Sequence, residues 1–331
     1  MAHLPWFEED FARLRQLQAQ RRLGHAWLVA GPEGIGKLEF VRAAAQWLLC
    51  SQPGEQGACG RCQDCHLFTV GTHPDWLLLE PEKRQITVGQ IRELIEFAHN
   101  TSQRGTKVLV LHPAEAMNLN AANAVLKILE EPPPGTVLIL VSHHSGQLLA
   151  TLRSRCQQLE VALPSNEQAL AWLQQMGASD AQRLLHKARG APLRALALRD
   201  NDTLACQDAM AAQLLALLLG EVSPIAAAKN CEKFAIQTSI EFLLEACRDL
   251  AATAQGAAPL RDEDLRPLYA QLLQGAASTA RLPLLLHAFQ RQVLEAYKVV
   301  LAPNNANPLL ILEALFGAWV RLREKLRKTT P

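Results

Sequence analysis

A glycine-rich loop near the start of the chain restricts its fold more than any other feature. The loop reads Gly31-Pro-Glu-Gly-Ile-Gly-Lys37 and fits the pattern G-x-x-x-x-G-K. It follows the apolar run His25–Ala30, which is typical of a buried strand, and it precedes helical periodicity over Lys37–Leu49. In that setting backbone N–H groups and the helix N-terminus form an anion site, and the lysine reaches the terminal phosphates of a nucleotide. The residues expected to contact phosphate are Gly31, Gly34, Gly36 and Lys37.

Strand-like and helical stretches alternate after the loop. Helices are predicted over Val88–His99 and Asn120–Glu130, and the second is stopped by the prolines that start at Pro132. Further strands are predicted over Trp76–Leu79, Lys107–His112, Thr136–Ser142 and, at an edge, Gln157–Val161. This alternation predicts an α/β domain with a parallel sheet and helices on both faces.

The pattern changes after Pro164. Ser165 and Gln168 have the spacing of a capping box, and only helical patterns follow. Longer helices rich in Ala and Leu are predicted over about 203–219, 224–235, 238–254, 263–274, 278–301 and 308–328. We therefore expect an α/β domain at 1–163, a small helical domain at 164–202 and a helical bundle at 203–331.

Two positions that hold magnesium in hydrolytic enzymes with this loop are altered. Leu38 stands where a Ser or Thr hydroxyl is needed. The strand that begins at Lys107 is followed by His112 and Pro113 instead of an Asp and a neighbouring Glu. Glu115 lies further on, where we expect it to cap or solvate the next turn. These changes argue against ATP hydrolysis but leave ATP binding without hydrolysis open.

Four of the eight cysteines are clustered, with the spacing Cys50-x8-Cys-x2-Cys-x2-Cys65. Four thiolates with no open position are typical of structural zinc, so Cys50, Cys59, Cys62 and Cys65 are the predicted metal ligands. The alternatives are free thiols, a site in which His66 replaces one cysteine, and an iron–sulfur cluster. The remaining cysteines are scattered and are expected to be buried as small apolar side chains: Cys156, Cys206, Cys231 and Cys247.

Charge and hydropathy exclude two classes of protein. Lys and Arg number 33 against 32 Asp and Glu, so the chain is not a strongly basic nucleic-acid coat protein. Apolar runs such as Leu214–Leu219 are far shorter than the roughly 18 residues of a membrane helix. The first residues lack the pattern of a signal peptide. We therefore expect a cytoplasmic protein that does not contact a membrane.

Four motifs, in this order, resemble the clamp-loader branch of the AAA+ proteins. They are the phosphate loop, the four-cysteine insertion, the run Asn123-Ala-Val-Leu-Lys-Ile-Leu-Glu-Glu-Pro-Pro133, and Leu152-Arg-Ser-Arg-Cys156. The third run and the Ser-Arg-Cys triplet are specific to that branch, and the resemblance covers nearly the whole chain. It implies an AAA+ P-loop domain with a zinc module at about 50–65, a helical lid, and a C-terminal collar domain that mediates oligomerisation.

The resemblance also implies roles for single residues. Arg155 would act in trans, as an arginine finger on the ATP of a neighbouring subunit; the alternative is an ion pair with a surface carboxylate. Ser142 matches a polar residue near the γ-phosphate, although a strand-end hydroxyl that bonds to backbone explains it equally well. Arg194 matches the second sensor position, and a solvated helix residue is the alternative.

Together with these altered magnesium positions, the resemblance implies a non-hydrolysing component of the bacterial DNA polymerase III clamp loader, which helps to load the sliding clamp onto primed DNA. Expected partners are loader subunits of the delta and tau/gamma types, with clamp and DNA contacted through the assembled complex. Two other functions stay open. An active AAA+ ATPase motor subunit would use the Lys37 loop with a displaced acid such as Glu115. A zinc-finger protein would bind DNA tightly on its own, with a steep salt dependence that near-neutral charge disfavours.

Overall fold

Five parallel strands form one sheet in the computed structural model of the chain, which describes residues 4–55, 57–102, 105–200, 203–257, 263–274, 279–301 and 306–327. The strands are β1 (Ala26–Ala30), β2 (Trp76–Leu79), β3 (Lys107–Leu111), β4 (Thr136–Ser142) and β5 (Gln157–Glu160). Their order across the sheet is β2-β3-β4-β1-β5. The predicted α/β class is confirmed, and each predicted strand agrees with the structure to within one residue.

Burial explains why these segments are strands. Every residue of β1, β3 and β4 is buried, as expected for the centre of a parallel sheet that is covered on both faces. In β5 only Leu159 is buried, which fits its position at the edge. In the register of β1 beside β4, Ala30 lies opposite Ser142, so both strands end at the same edge of the sheet.

Helices cover the two faces of the sheet. Those of this part of the chain are α1 (Glu8–Ala19), α2 (Lys37–Leu49), α3 (Gln63–Thr69), α4 (Val88–His99), α5 (Leu119–Glu130) and α6 (Ala150–Arg153). Fully buried side chains of α4 and α5, such as Leu94 and Val125, share one core with Leu28 of β1. On the other face Phe40 of α2 lines a small cavity together with Val29. Because Leu28 and Val29 are adjacent, they point to opposite faces of the sheet.

Side-chain caps determine where several helices begin. Thr87 and Gln90 form a reciprocal capping box at the start of α4. Ser165 and Gln168 do the same for α7 (Asn166–Gln175), which confirms the capping box predicted there. At α5 the side chain of Asn118 accepts a hydrogen bond from the backbone N–H of Ala121.

The secondary-structure elements in the described residues after Pro164 are helices. They are α7, α8 (Ala181–Lys187), α9 (Pro192–Asp200), α10 (Thr203–Leu219), α11 (Pro224–Cys231), α12 (Ile236–Ala254), α13 (Arg266–Leu273), α14 (Leu282–Leu301) and α15 (Pro308–Arg327). The last six share one hydrophobic core, in which Phe316 is fully buried. The indole N–H of Trp319 donates to the carbonyl of Leu214 at 3.1 Å, which ties α15 to α10. None of the described helices is long and apolar enough to cross a membrane.

Several helix boundaries differ from those predicted. The helix predicted over 263–274 begins with a 3₁₀ turn, Glu263–Leu265, and α13 starts only at Arg266. The helix predicted over 278–301 likewise has a 3₁₀ turn before α14, and residue 278 lies outside the described residues. Proline is tolerated only in the first turn of a helix, and Pro267 and Pro283 explain the late starts. The predicted end of the last helix, residue 328, also lies outside the described residues.

The chain divides into two units. One comprises Met1–Ala181 and Ala188–Ala195, and the other comprises Gln182–Lys187 and Leu196–Pro331. Within the second unit, Arg183 of α8 contacts Asp208 of α10 at 2.6 Å and Asp264 at 3.0 Å. Lys187 adds a contact to Asp264 at 2.9 Å. This network of two cations and two carboxylates joins α8 to the helical core of the second unit.

Replacing a buried leucine of β3 should destabilise the first unit strongly. Leu109→Ala removes a fully buried side chain and should lower the free energy of unfolding by about 2–5 kcal/mol. Leu119→Ala is the matched control, because this leucine is 64% exposed and its loss should change stability by less than about 0.5 kcal/mol. Urea unfolding followed by circular dichroism measures both. Equal effects of the two substitutions would contradict the packing described for β3.

Candidate functional site

The predicted phosphate loop connects β1 to the N-terminus of α2. Gly34 and Gly36 have backbone φ values of 79° and 92°, which residues with a side chain rarely adopt. Space is also restricted, because a Cβ at Gly34 would lie 2.6 Å from the Cβ of Arg194 and one at Gly36 would lie 2.4 Å from Leu4. The glycines are therefore required both by the turn and by the residues packed on it.

Lys37 points into its own loop. Its Nζ donates to the carbonyl oxygens of Gly31 at 2.7 Å and Pro32 at 2.5 Å, and the residue is only 2% exposed. Burial lowers the pKa of Lys37 to about 8, although Glu115 and Glu33 attract its charge. The ammonium group is thus bonded to two carbonyl oxygens of its own loop.

Two other segments of the first unit cover the loop. The backbone N–H groups of Leu193 and Arg194 donate to the carbonyl of Gly34 at 2.9 and 3.3 Å. The indole N–H of Trp6 donates to the carbonyl of Ile35 at 2.8 Å. The structure therefore places Arg194, the predicted second sensor, directly against the loop through its backbone.

The ends of β3 and β4 lie beside this loop. The N–H of Gly31 donates to the carbonyl of Ser142 at 3.3 Å. Ser142 is fully buried, and its hydroxyl accepts the backbone N–H of His144 at 3.1 Å. At the end of β3, Nδ1 of His112 lies 3.1 Å from a carboxylate oxygen of Glu80.

Glu115, which was expected to cap or solvate the next turn, is partly buried and instead binds the backbone that follows β4. It lies in the 3₁₀ turn Ala114–Ala116 after β3, and its Oε1 accepts the backbone N–H of His143 at 2.8 Å. Burial raises its pKa, but hydrogen bonds from the backbone N–H groups of Glu115 and His143 outweigh that effect and lower it below the ordinary value. For His143, burial and then the charge of Lys37 lower the pKa. An ionised carboxylate therefore lies within electrostatic reach of Lys37, whereas Leu38 offers no oxygen for a metal.

The four clustered cysteines converge in space. All four Sγ atoms lie within 4.8 Å of one another, with 3.8 Å between Cys50 and Cys62 and 4.0 Å between Cys59 and Cys65. A tetrahedral zinc ion with Zn–S bonds of about 2.3 Å requires sulfur atoms about 3.8 Å apart. The group that could hold a metal consists of these cysteines, and His66 is exposed and outside it. The residues thus fit a four-coordinate metal ion such as zinc.

Backbone N–H groups orient the cysteine sulfur atoms. Cys50 Sγ accepts from the N–H groups of Gln52 and Cys59 at 3.4 and 3.3 Å. Cys59 Sγ accepts from Cys62 N–H, and Cys62 Sγ accepts from Cys65 N–H, each at 3.4 Å. Cys50 is the C-cap residue of α2 and Cys62 is the N-cap residue of α3, so two helix ends position the site. Such outer contacts stabilise thiolates as metal ligands.

The scattered cysteines are all buried, as predicted. Burial raises the pKa of Cys156 to about 11 and that of Cys247 to about 12, so both thiols stay protonated at neutral pH. They are Cys156, Cys206, Cys231 and Cys247.

Arg155 lies between α6 and β5, on the surface of the first unit. Its Nη2 contacts Oε1 of Glu130 at 2.7 Å, and its Nη1 donates to the carbonyl of Thr151 at 3.1 Å. The Arg155 side chain is 38% exposed. The predicted surface ion pair is therefore present in the single chain, and the guanidinium group remains open to solvent.

Known proteins resemble this chain over most of its length. Residues 7–165 match the sequence model of the family described as "DNA polymerase III, delta subunit". The protein named DNA polymerase III subunit delta' from Pseudomonas aeruginosa is 36% identical, over 96% of this chain and 97% of that protein. Its namesake from Escherichia coli is 34% identical over 82% of this chain and 83% of that protein. The crystal structure of a gamma subunit-related protein from Thermotoga maritima is 17% identical, with a TM-score of 0.45, over 94% of this chain and 99% of that chain.

Metal analysis tests the cysteine site. Purified protein should contain about one zinc ion per chain, and Cys59→Ser should lose most of it because three sulfur ligands leave the tetrahedron incomplete. Cys231→Ala is the matched control, because that buried cysteine lies in the helical core of the second unit and its removal should leave the zinc content unchanged. Mass spectrometry of the bound metal gives the readout. Protein that carries no metal, or equal zinc in the Cys59→Ser and unmodified chains, would contradict the assignment.

Proposed function

This chain belongs to the delta' subunits of the DNA polymerase III clamp loader, and from that premise we propose that it assists ATP hydrolysis in a neighbouring subunit without hydrolysing ATP itself. The subunit was predicted from the sequence because hydrolytic loader subunits keep the magnesium Ser or Thr and the Asp-Glu pair. The delta subunit, by contrast, usually lacks the Ser-Arg-Cys triplet and the zinc module. Similarity to delta' proteins along nearly the whole chain confirms that prediction.

The geometry of the loop supports the absence of hydrolysis. Leu38 lies in the first turn of α2 and has no oxygen to hold magnesium. His112, at the position expected for the acid, contacts Glu80 instead. Lys37 is bonded to loop carbonyls, which a nucleotide would have to displace.

The position of Glu115 favours a second candidate function, that of an active ATPase. Its carboxylate is ionised and attracts Lys37, as a displaced acid would. However, the carboxylate is held by the backbone N–H of His143, and no hydroxyl at residue 38 completes a magnesium site. Steady-state hydrolysis by the isolated chain separates the two functions. Turnover that is lost on Lys37→Ala would overturn the non-hydrolysing function.

Arg155 is the residue through which we propose that this chain assists hydrolysis in a neighbouring subunit. In this function the guanidinium group approaches the γ-phosphate bound by the adjacent subunit and neutralises charge that develops during phosphoryl transfer. Its partial exposure supports the role, because a buried guanidinium could not reach another chain. The Ser-Arg-Cys triplet places it just before the edge strand β5.

The proposal also divides the chain into three domains, of which the last mediates assembly. We assign residues 1–163 to the P-loop domain with its zinc module, 164–202 to the lid and 203–331 to the collar that binds delta- and tau/gamma-type subunits. Exposed apolar side chains on the collar helices support the last assignment: Leu284, Leu294, Val299 and Leu310. The sliding clamp and primed DNA are contacted in the cytoplasm through the assembled complex, and zinc has a structural role.

Substitution of Arg155 tests the trans-acting role. In the assembled loader, Arg155→Ala should reduce hydrolysis at the adjacent ATP site by about 10³-fold or more, and clamp loading should fall with it. Arg155→Lys should restore little, because an ammonium group lacks the planar fork. Arg92→Ala, which removes an exposed cation from α4, is the control. ATP turnover stimulated by DNA and clamp gives the readout, and unchanged rates with Arg155→Ala would leave this subunit a scaffold only.

Calorimetry tests ATP binding by the chain itself. Weak binding should be lost with Lys37→Ala, because the ammonium group supplies the charge that meets phosphate. The pKa of Lys37 is about 8, so the protonated fraction and the affinity should fall about tenfold between pH 7 and pH 9.

The variant Leu38→Ser should not gain hydrolysis, since His112 and Pro113 still replace the acidic pair. Strong hydrolysis from that single change would contradict the interpretation of β3.

A further inference from the structure

Arg155 is held by a carboxylate for which none of the sequence motifs predicted a role. The Nη2–Oε1 distance between Arg155 and Glu130 is 2.7 Å, although the residues lie 25 positions apart. We propose that Glu130 is the positioning residue for Arg155, and that it holds the guanidinium group in the orientation from which it meets the phosphate of a neighbouring subunit. This inference rests on the proposed trans-acting function of Arg155.

Two contacts fix the plane of the guanidinium group. Glu130 binds Nη2, and the carbonyl oxygen of Thr151 accepts from Nη1 at 3.1 Å. A single contact would leave the planar group free to rotate about its long side chain. Because both Nη1 and Nη2 of Arg155 are bonded, the directions of the other guanidinium N–H groups are fixed before a neighbouring subunit approaches.

Both supports are anchored in the hydrophobic core. The residues before Glu130, Ile128 and Leu129, are each only 3% exposed. On the other side, the backbone N–H of Arg155 donates to the carbonyl of Leu152 at 3.1 Å, and Leu152 is fully buried. The ion pair therefore connects two backbone positions that packing already fixes.

Exposure indicates that the contact contributes more to orientation than to folding. The side chains of Arg155 and Glu130 are 38% and 52% exposed. Ion pairs in such surroundings contribute little to stability, because water screens them. A long side chain that is already immobilised loses less conformational entropy when the complex assembles. We expect this saving to change the rate of hydrolysis by about 2–10-fold.

A carboxylate can also act in the opposite way. Glu130 carries the same charge as a phosphate, so it could compete for the guanidinium group and delay its transfer to ATP. Competition predicts faster hydrolysis when the carboxylate is removed, whereas positioning predicts slower hydrolysis. The same substitutions therefore decide between the two effects.

The test uses loader complexes assembled with variant chains. ATP hydrolysis is measured in the presence of DNA and clamp. The part that depends on Arg155 is the rate of the unmodified complex minus the rate of the Arg155→Ala complex. Glu130→Ala should lower the kcat of this turnover by about 2–10-fold and leave the KM for ATP unchanged. Glu130→Gln keeps an oxygen acceptor and should lose less. Glu131→Ala, which removes an exposed carboxylate one residue further on, should have no effect.

A double substitution separates positioning from a general structural role. In the Arg155→Ala background, Glu130→Ala should cause no further loss, because its effect acts through Arg155. Equal rates for Glu130→Ala and Glu131→Ala complexes, or a faster Glu130→Ala complex, would overturn the inference while the function of Arg155 stands. Unchanged turnover with Arg155→Ala would instead overturn the proposed function. Co-elution of each variant with the other subunits confirms assembly, and Glu130→Gln preserves the side-chain volume if Glu130→Ala fails to assemble.

Discussion

The parallel pairing of β1 with β4 determines where the phosphate loop lies relative to the end of β4. Ala30 is opposite Ser142, and the chain leaves both strands at the same edge of the sheet. The Gly31 N–H continues the ladder by donating to the Ser142 carbonyl, and on the other side of β1 the Val161 N–H donates to the Ala30 carbonyl at 2.7 Å. A shift of this register would separate the loop from the segments that follow β4 and β5. The loop, Ser142 and Glu115 are therefore neighbours because of sheet topology, although they are far apart in the sequence.

Lys37 is bonded to carbonyl oxygens of its own loop. A buried ammonium group needs oxygen acceptors or an opposite charge, since burial without them is strongly unfavourable. Here the Gly31 and Pro32 carbonyls supply the acceptors, and Glu115 supplies a negative charge within electrostatic reach. The downward pKa shift of Lys37 shows that these groups offset burial only in part. The ammonium group of Lys37 is thus held by acceptors and charges of its own chain.

The sequence predicted what depends on local pattern and missed what depends on distant side chains. Buried strands such as β3 were predicted because apolar runs bounded by turn residues have few other conformations. The cysteine cluster was predicted because ligand spacing is local. Helix α3 was not, because its seven residues are too few to show helical periodicity and include the predicted metal ligand Cys65. The contacts of Glu115 with His143 and of Glu130 with Arg155 span 28 and 25 residues, and no local pattern encodes them.

Lys37 and Arg155 are the two cations that the proposed function relates to ATP. They differ in exposure and in hydrogen bonding. Lys37 is 2% exposed, has a lowered pKa and is bonded to backbone carbonyls. The Arg155 side chain is 38% exposed and is supported by two contacts that leave it open to solvent. A nucleotide bound by this chain would have to displace internal hydrogen bonds to reach Lys37, whereas the partly exposed guanidinium group of Arg155 can be approached from solvent by a phosphate that another chain presents. The difference in exposure favours action on a neighbour's nucleotide over turnover of the chain's own.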